Sequence, residues 1–362
     1  TMHSFFDLGW GVLDPNNYIE KVCKAAKKTN LIIIDEISMV RADILDSIDN
    51  ILKCTMDNTR PFGGKQIVFF GDPYQLPPIV ENNPDVIEYF SEHYKSPYFF
   101  HSNSYMSADV TALELTKVFR QVDQDFVELL NRVRTNDYTN DDLDRINKQV
   151  DTLDLEGQHI ILTPYRDRAS KINKMGLESI DSKMHTFEAK ITGKTKESST
   201  PAEMILNLKV GAKVMFVKND HPKWVNGSLG TVLEIYKDSV LVDKSGSKYE
   251  VVPDKWEEYK YIYDDKTSQL TKEMVGTFKQ IPLILAWALT IHKSQGSTID
   301  KICLDLDRGA FGFGQTYVGL SRTRSLSDII LTKPISSADI KVDQVVINYH
   351  KSISKEIEQE II

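Results

Sequence analysis

Two short runs constrain this chain more than any other feature: Leu31 to Ile34 and Gln66 to Phe70, largely apolar stretches that end abruptly in polar residues. The first runs into Asp35 and Glu36, the second into Gly71 and Asp72. Short continuous apolar runs bounded by turn residues suit strands covered on both faces by helices. Between them, within Ala42 to Cys54, Ile44, Leu45, Ile48, Ile51 and Leu52 recur at helical spacing. Strand, helix and strand in that order predict a right-handed crossover in an α/β layer. Functional residues then belong at the carboxyl ends of the strands, where these polar residues lie.

Further along, Phe126 to Ile146 has a helical pattern, and Ile160 to Leu162 reads as a buried strand ending in Thr163 and Pro164. From about 185 to 280 the texture changes to short β-rich runs (Ala212 to Val217, Gly230 to Tyr236, Ser239 to Asp243, Ser247 to Val252) separated by Asn-Gly, Lys-Asp and Ser-Gly turns. That pattern predicts a small antiparallel barrel. The α/β texture resumes at Pro282 to Ala288, Ile302 to Leu306 and Ile329 to Leu331, so the barrel is read as an insertion into a second α/β domain.

A chain of 362 residues can hold two or three domains. Its net charge of −8 argues against a generally basic surface, so any nucleic-acid contact must be a local groove. The cysteines Cys23, Cys54 and Cys303 form no CxxC pair; Cys23 and Cys303 sit among apolar neighbours and read as buried thiols in a reduced compartment. No apolar run approaches the roughly 18–20 residues that span a bilayer, and no signal-peptide pattern is present.

An apolar strand ending in adjacent carboxylates, LIIIDEISMV, suits half of a nucleotide-hydrolysis site: Asp35 to hold Mg²⁺, Glu36 to orient and deprotonate water. Alone, the same pair could begin a solvated helix. In GDPYQLPP, preceded by PFGG, Gln75 is placed to read a terminal phosphate, and Pro77 and Pro78 form a rigid turn that could wedge against a base. A turn with a proline stop is the plainer alternative. Arg120 in FRQ and Arg322 in QTYVGLSRTRS are candidates for fingers that meet a γ-phosphate across a cleft. His292, Lys293 and Ser294 in ALTIHKSQGSTID cluster donors suited to phosphate oxygens. Any one of these could be ordinary surface.

Their order is more specific. DEISM, PFGG with GDPYQLPP, FRQ, TPYR, NGSLGTV, TIHKSQG and YVGLSR occur in one chain in this sequence, and the series resembles superfamily one, subclass B helicases, most of all the Pif-type branch. The resemblance covers nearly the whole chain and is weakest after about Ile335. It implies two RecA-like domains with an inserted SH3-like barrel: a first domain over 1–121 with a short wedge element at 7–18, a second over 122–184 and 281–335, the barrel at 185–280, and a closing helical tail at 336–362 to which no function is assigned. It implies ATP and Mg²⁺ as cofactors, with Asp35 on the metal, Glu36 as base, Gln75 as γ-phosphate sensor, and Arg120 and Arg322 reaching in from the second domain. For DNA it implies Thr1, His3 and Ser4 of TMHSFF, Pro77, Pro78, Thr163, Asn226, His292, Lys293 and Ser294 along the single strand; Trp224 beside the Asn226–Gly227 turn could stack on a base or fill the barrel core. Single-stranded and forked or tailed duplex DNA are the implied partners, with 5′-to-3′ movement, a monomer, and a cytoplasmic site in a bacterial or phage-type host. Gly319 stands where the family commonly has alanine.

One departure is large. No GxxxxGK[ST] phosphate loop occurs in the sequence. The first domain is therefore expected to be incomplete and the chain as given to turn ATP over negligibly. A RecD-like helicase subunit and a non-hydrolysing single-strand-binding module remain the alternatives.

Overall fold

Leu31–Ile34 and Gln66–Phe69 pair in parallel, Leu31 opposite Gln66, with Ala42–Met56 as the helix between them. In this computed structural model all residues are described except 1, 10, 19, 153–158, 194–199, 265–268, 361 and 362; for 258–264, 269–273 and 355–360 the backbone alone is described. The helix buries Leu45, Ile48, Ile51 and Leu52 completely, as its spacing requires. Its opposite signal is less ordinary: Asp43, Asp46 and Asp49, three apart and so on one side of the helix, are buried as well.

Each of these carboxylates holds a loop. Asp43 accepts from the Leu13 amide at 2.8 Å and from Arg41 Nη2 at 2.7 Å. Asp46 accepts from the Ser104 amide at 2.8 Å and the Asn103 amide at 3.1 Å. Asp49 accepts from the Phe62 amide at 2.6 Å and pairs with Lys53 Nζ at 2.6 Å. The helix thus pins the segment at 7–18, the start of the helix Asn103–Ser107 and the PFGG turn. Loss of one carboxylate strands a buried amide, which costs about 1–3 kcal/mol. PFGG itself closes tightly on the helix: Gly63 has φ +63°, and a Cβ there would lie 2.4 Å from the Leu52 carbonyl oxygen.

The second lobe has a four-stranded parallel sheet in the order Ala288–Thr290, Ile160–Thr163, Ile302–Leu304, Ile329–Leu331. All of Ile160–Thr163 is buried, as a parallel strand covered on both faces should be. Gln124–Thr135 packs Phe126, Leu129, Leu130 and Val133 into the same core. Arg166–Glu178 and Gln315–Leu320 follow two of the strands.

The region read as a small antiparallel barrel is β-rich and antiparallel, and no closed barrel is seen among its described residues. Its described strands form three sheets: five strands in the order Ser247–Val251, Val240–Lys244, Leu229–Ile235, Lys213–Phe216, Leu283–Leu285; three in the order Asp254–Asp264, Gln269–Gln280, Lys190–Gly193; and the pair His185–Glu188 with Ile205–Leu208. Among the described residues no ladder joins the two edges of the five-stranded sheet, because the long hairpin takes Lys190–Gly193 as its own third strand. Leu283–Leu285 pairs with Lys213–Phe216, so the boundary expected at 280/281 falls inside this sheet.

The tail helix Gln344–Glu360 returns to the first lobe. Val346 lies in that lobe's core, and Tyr349 stacks on Phe100 with centroids 4.0 Å apart. Tyr98 donates to Asp343 Oδ2 at 2.9 Å, and the Tyr105 and Tyr349 hydroxyls lie 2.6 Å apart. Among the described residues no helix is long and apolar enough to cross a membrane. Cys23 and Cys303 are buried, and burial pushes the Cys303 thiol up to about 12.

Candidate active site between the lobes

The strand Leu31–Ile34 delivers Asp35 and Glu36 to the facing edge of the second lobe. Glu36 has left-handed backbone angles, φ 53° and ψ 45°, a conformation a non-glycine residue holds only when its surroundings impose it. Asp35 Oδ1 accepts the Glu36 amide at 2.9 Å, and the Asp35 side chain is exposed. Glu36 Oε2 accepts from Gln295 Nε2 of the second lobe at 2.9 Å. A Cβ on Gly296 would come within 3.7 Å of Glu36 Oε1, so the turn after Ile291–Ser294 lies directly against this carboxylate.

Two guanidiniums gather on the same side. Arg120 donates from Nε to Thr298 Oγ1 and from Nη1 to the Ser321 carbonyl, both at 3.0 Å. Gln121 donates to the Ser321 and Thr323 carbonyls. The Arg120 and Gln121 side chains of FRQ are therefore docked on the second lobe. Arg322 is 1% exposed, with Nε on the Val318 carbonyl at 2.8 Å, Nη2 on Ser321 Oγ at 2.8 Å and Nη1 near the Ser294 and Ser297 carbonyls at 3.4 Å. Expected at the cleft surface, it is instead buried behind it, because a desolvated guanidinium needs acceptors for its five N–H groups. Burial first, then the like charge of Arg120, lowers Arg322 to about 10, while Tyr317, Glu36 and Asp72 act the other way. Burial also lowers Arg120, opposed by Tyr317 and Glu36. Glu36 is thus the carboxylate both arginines feel.

Gln75 is half-buried, its amide on the Asp72 carbonyl at 3.0 Å. Pro77 is half-buried and Pro78 buried. The residues placed on a nucleic-acid path are mixed. Lys293 and Ser4 are exposed, and His3 and His292 are half-buried, each with its imidazole lowered by burial first and then by Arg41 and Arg166 respectively. Thr163 and Ser294 are buried: Thr163 Oγ1 accepts the Tyr165 amide at 3.4 Å, and Ser294 Oγ donates to the Ile291 carbonyl at 2.8 Å. Thr1 lies outside the described residues. Asn226 is exposed, and its turn reaches the motif after Ala288–Thr290: a Cβ on Gly227 would lie 3.2 Å from Ser297 Oγ. Trp224 is a core residue, 5% exposed and stacked on Phe216 at 4.7 Å, so it offers no face to a base.

Whether the cleft suits Mg²⁺ and a triphosphate can be tested on its polar atoms. Gln295 Oε1, on the side chain whose Nε2 donates to Glu36, is buried without a hydrogen-bond partner among the described residues, as is Ser38 Oγ, two residues after Glu36. A bare acceptor on a side chain bonded to the cleft carboxylate fits a hydrated cation.

A family model described as PIF1-like helicase matches residues 1–144. The crystal structure of Bacteroides sp Pif1 in complex with ADP-AlF4 is 34% identical, with a TM-score of 0.85 over 98% of this chain and 84% of that one. The chain belongs to the PIF1-like helicase family. The Bacteroides Pif1 structure bound to ssDNA gives a TM-score of 0.75 at the same 34% identity, covering 98% of this chain and 84% of that one. The human ATP-dependent DNA helicase PIF1 is 33% identical over 312 residues, 82% of this chain and 45% of that protein. This PIF1-like chain thus spans about half the length of the curated relatives it matches.

The PIF1-like cleft also contains residues that sequence reasoning did not single out. Gln295 and Thr298 sit within or just after the TIHKSQG motif, and their signal was only their position in it. Tyr317, in YVGLSR, donates to Asp72 Oδ2 of GDPYQLPP at 3.1 Å, a contact across the lobes that no spacing announces.

Proposed function

We propose that this chain is the motor of an ATP-dependent DNA helicase that moves 5′ to 3′ on single-stranded DNA as a monomer and opens tailed or forked duplexes. The observation that carries the reading is the hydrogen bond from Gln295 of the opposite lobe to Glu36, on the side where Arg120, bonded to Thr298 and Ser321, and Arg322 are gathered. When bound, Mg·ATP supplies the phosphoanhydride whose hydrolysis drives lobe motion. Asp35 is the residue to hold the cation, and a Glu36 oxygen the group to take the proton of attacking water. Gln75 and Arg120 read and neutralise phosphate charge, and Arg322 either supports Arg120 from behind or exchanges its carbonyl partners for phosphate.

These 362 residues contain no phosphate loop, so the amide-and-lysine cradle is contributed from outside them. Its place is the uncovered apolar face of the first lobe, where Leu31 and Ile33 are exposed. On the nucleic-acid side, His3, Ser4, Thr163, His292, Lys293, Ser294 and Asn226, with Thr1, are proposed to grip the backbone, and Pro77 and Pro78 to press on a base. Movement follows if the closed and open arrangements bind DNA unequally; the lower similarity to the ssDNA-bound relative accords with lobes that rearrange.

The test is an unwinding assay with the phosphate-loop-bearing protein on 5′-tailed and 3′-tailed duplexes. The proposal expects ATP-dependent opening of the 5′-tailed substrate alone. Preference for the 3′ tail overturns the polarity; binding without hydrolysis indicates the single-strand-binding module; activity only with added nuclease subunits indicates the RecD-like subunit.

A further inference from the structure

By sequence the segment Asp72–Leu76 continues the first-lobe strand Gln66–Phe69 and keeps Tyr74 in that lobe's core, yet its other residues reach into the second lobe. Leu76 is fully exposed to none of the solvent: at 0% it sits in the second lobe's core cluster with Phe126, Leu129, Leu130 and Val133. Asp72 Oδ2 accepts from the Tyr317 hydroxyl at 3.1 Å, and Asp72 Oδ1 lies 3.9 Å from Arg134 Nη1. Arg134 covers the Tyr74 ring at 5.1 Å. Gly314, at φ +72°, presses on the segment so closely that a Cβ would fall 2.3 Å from the Gln75 carbonyl oxygen and 2.7 Å from that of Tyr74. Tyr317 packs against the apolar cores of both lobes. Gln75 lies in the middle of this docked stretch.

We propose that Tyr317 is a positioning residue which, through Asp72, latches the Gln75 segment, rooted in the first lobe by Tyr74, to the second lobe, so that the placement of Gln75 relative to Asp35 and Glu36 depends on whether the cleft is closed. The part concerning nucleotide sensing rests on the function proposed above; the latch itself does not. A buried side chain in the far core, a hydrogen bond and a glycine contact fix the segment to the second lobe at three points, while Tyr74, buried in the first lobe's core and edge-on to His350, roots it in the first. Opening of the cleft thereby frees one side of the segment and changes the placement of one side-chain amide.

The test has two arms. In the 362-residue chain, dyes at exposed Glu92 and Lys174 report the interlobe distance by energy transfer. Tyr317→Phe and Asp72→Ala are each expected to shift the closed-to-open ratio about 3- to 10-fold toward open, the weight of one hydrogen bond. The double variant should shift it no further than the stronger single one. Asp72→Asn, which keeps an acceptor oxygen, should restore most of the closed population, and thermal unfolding checks that every variant is folded. Additive shifts, or none in folded variants, overturn the latch. In the phosphate-loop-bearing protein, Tyr317→Phe should lower the fold-stimulation of ATP hydrolysis by single-stranded DNA while leaving DNA affinity without nucleotide unchanged; unchanged stimulation overturns the sensing part. If the unaltered protein hydrolyses no ATP, the nucleotide reading fails and the energy-transfer arm alone decides the latch.

Discussion

In the second lobe every residue of Ile160–Thr163 is buried, whereas in the first lobe the strand that carries Asp35 and Glu36 alternates, with Leu31 and Ile33 facing solvent. Both are parallel strands of apolar residues, and parallel sheets are stable when covered on both faces. The first lobe also leaves Leu113 and Leu115 exposed just before FRQ. The second lobe covers its strand on both faces; in the first, the strand that ends in Asp35 and Glu36 has one uncovered face. The contrast teaches that the strand ending in the adjacent carboxylates is also the one with an uncovered apolar face.

The largest expected effect tests the cleft that joins the two lobes. Arg120→Ala in the phosphate-loop-bearing protein should lower ssDNA-stimulated ATP turnover about 10³- to 10⁵-fold, equivalent to roughly 4–7 kcal/mol of barrier; a loss under tenfold places the arginine outside the chemistry. Next, the completeness of the second lobe predicts that Leu162→Ala costs about 2–5 kcal/mol in urea unfolding, since it leaves a cavity in a closed core. A smaller effect comes from Asp142, which the bidentate Arg132 guanidinium, at 2.7 and 2.9 Å, first and foremost lowers from 3.8 to about 2. The folded value lies below the unfolded one, so this stability is present above about pH 4 and is lost as pH falls from there through 2. Because Arg132 is partly exposed, the contribution is about 1 kcal/mol, and Asp142→Asn should flatten the acid limb of the stability profile by that amount. Smallest of all, Ile33→Ser in the 362-residue chain should change stability by less than about 0.5 kcal/mol. A loss as large as that of Leu162→Ala would show that the first-lobe face is already packed and would remove the contrast.

The legible parts of this molecule were those governed by local pattern. Apolar runs ending at Asp35 and Thr163, the helical spacing of Ile44 to Leu52 and the order of the motifs could all be read along the chain. The buried aspartates could not: Asp43, Asp46 and Asp49 look like a solvated helix face, and their partners are amides of loops as far as 58 residues away. Arg322 was legible as an arginine of a motif, but its burial depends on carbonyls brought from three separate positions. How the strands at 185–280 are grouped was not legible either, since strand spacing announces strands and turns and says nothing about which edges meet. The tail clasp through Tyr349 and the Asp72–Tyr317 bond are contacts between lobes, where sequence periodicity carries no information.

The central claim is that Glu36 and the arginines opposite it act on one nucleotide held between the lobes. It is tested most directly by ATP hydrolysis of Glu36→Gln in the phosphate-loop-bearing protein with saturating single-stranded DNA. The account predicts a fall of about 10²- to 10⁴-fold, with nucleotide and DNA binding retained; turnover within a few-fold of the unaltered protein would contradict it.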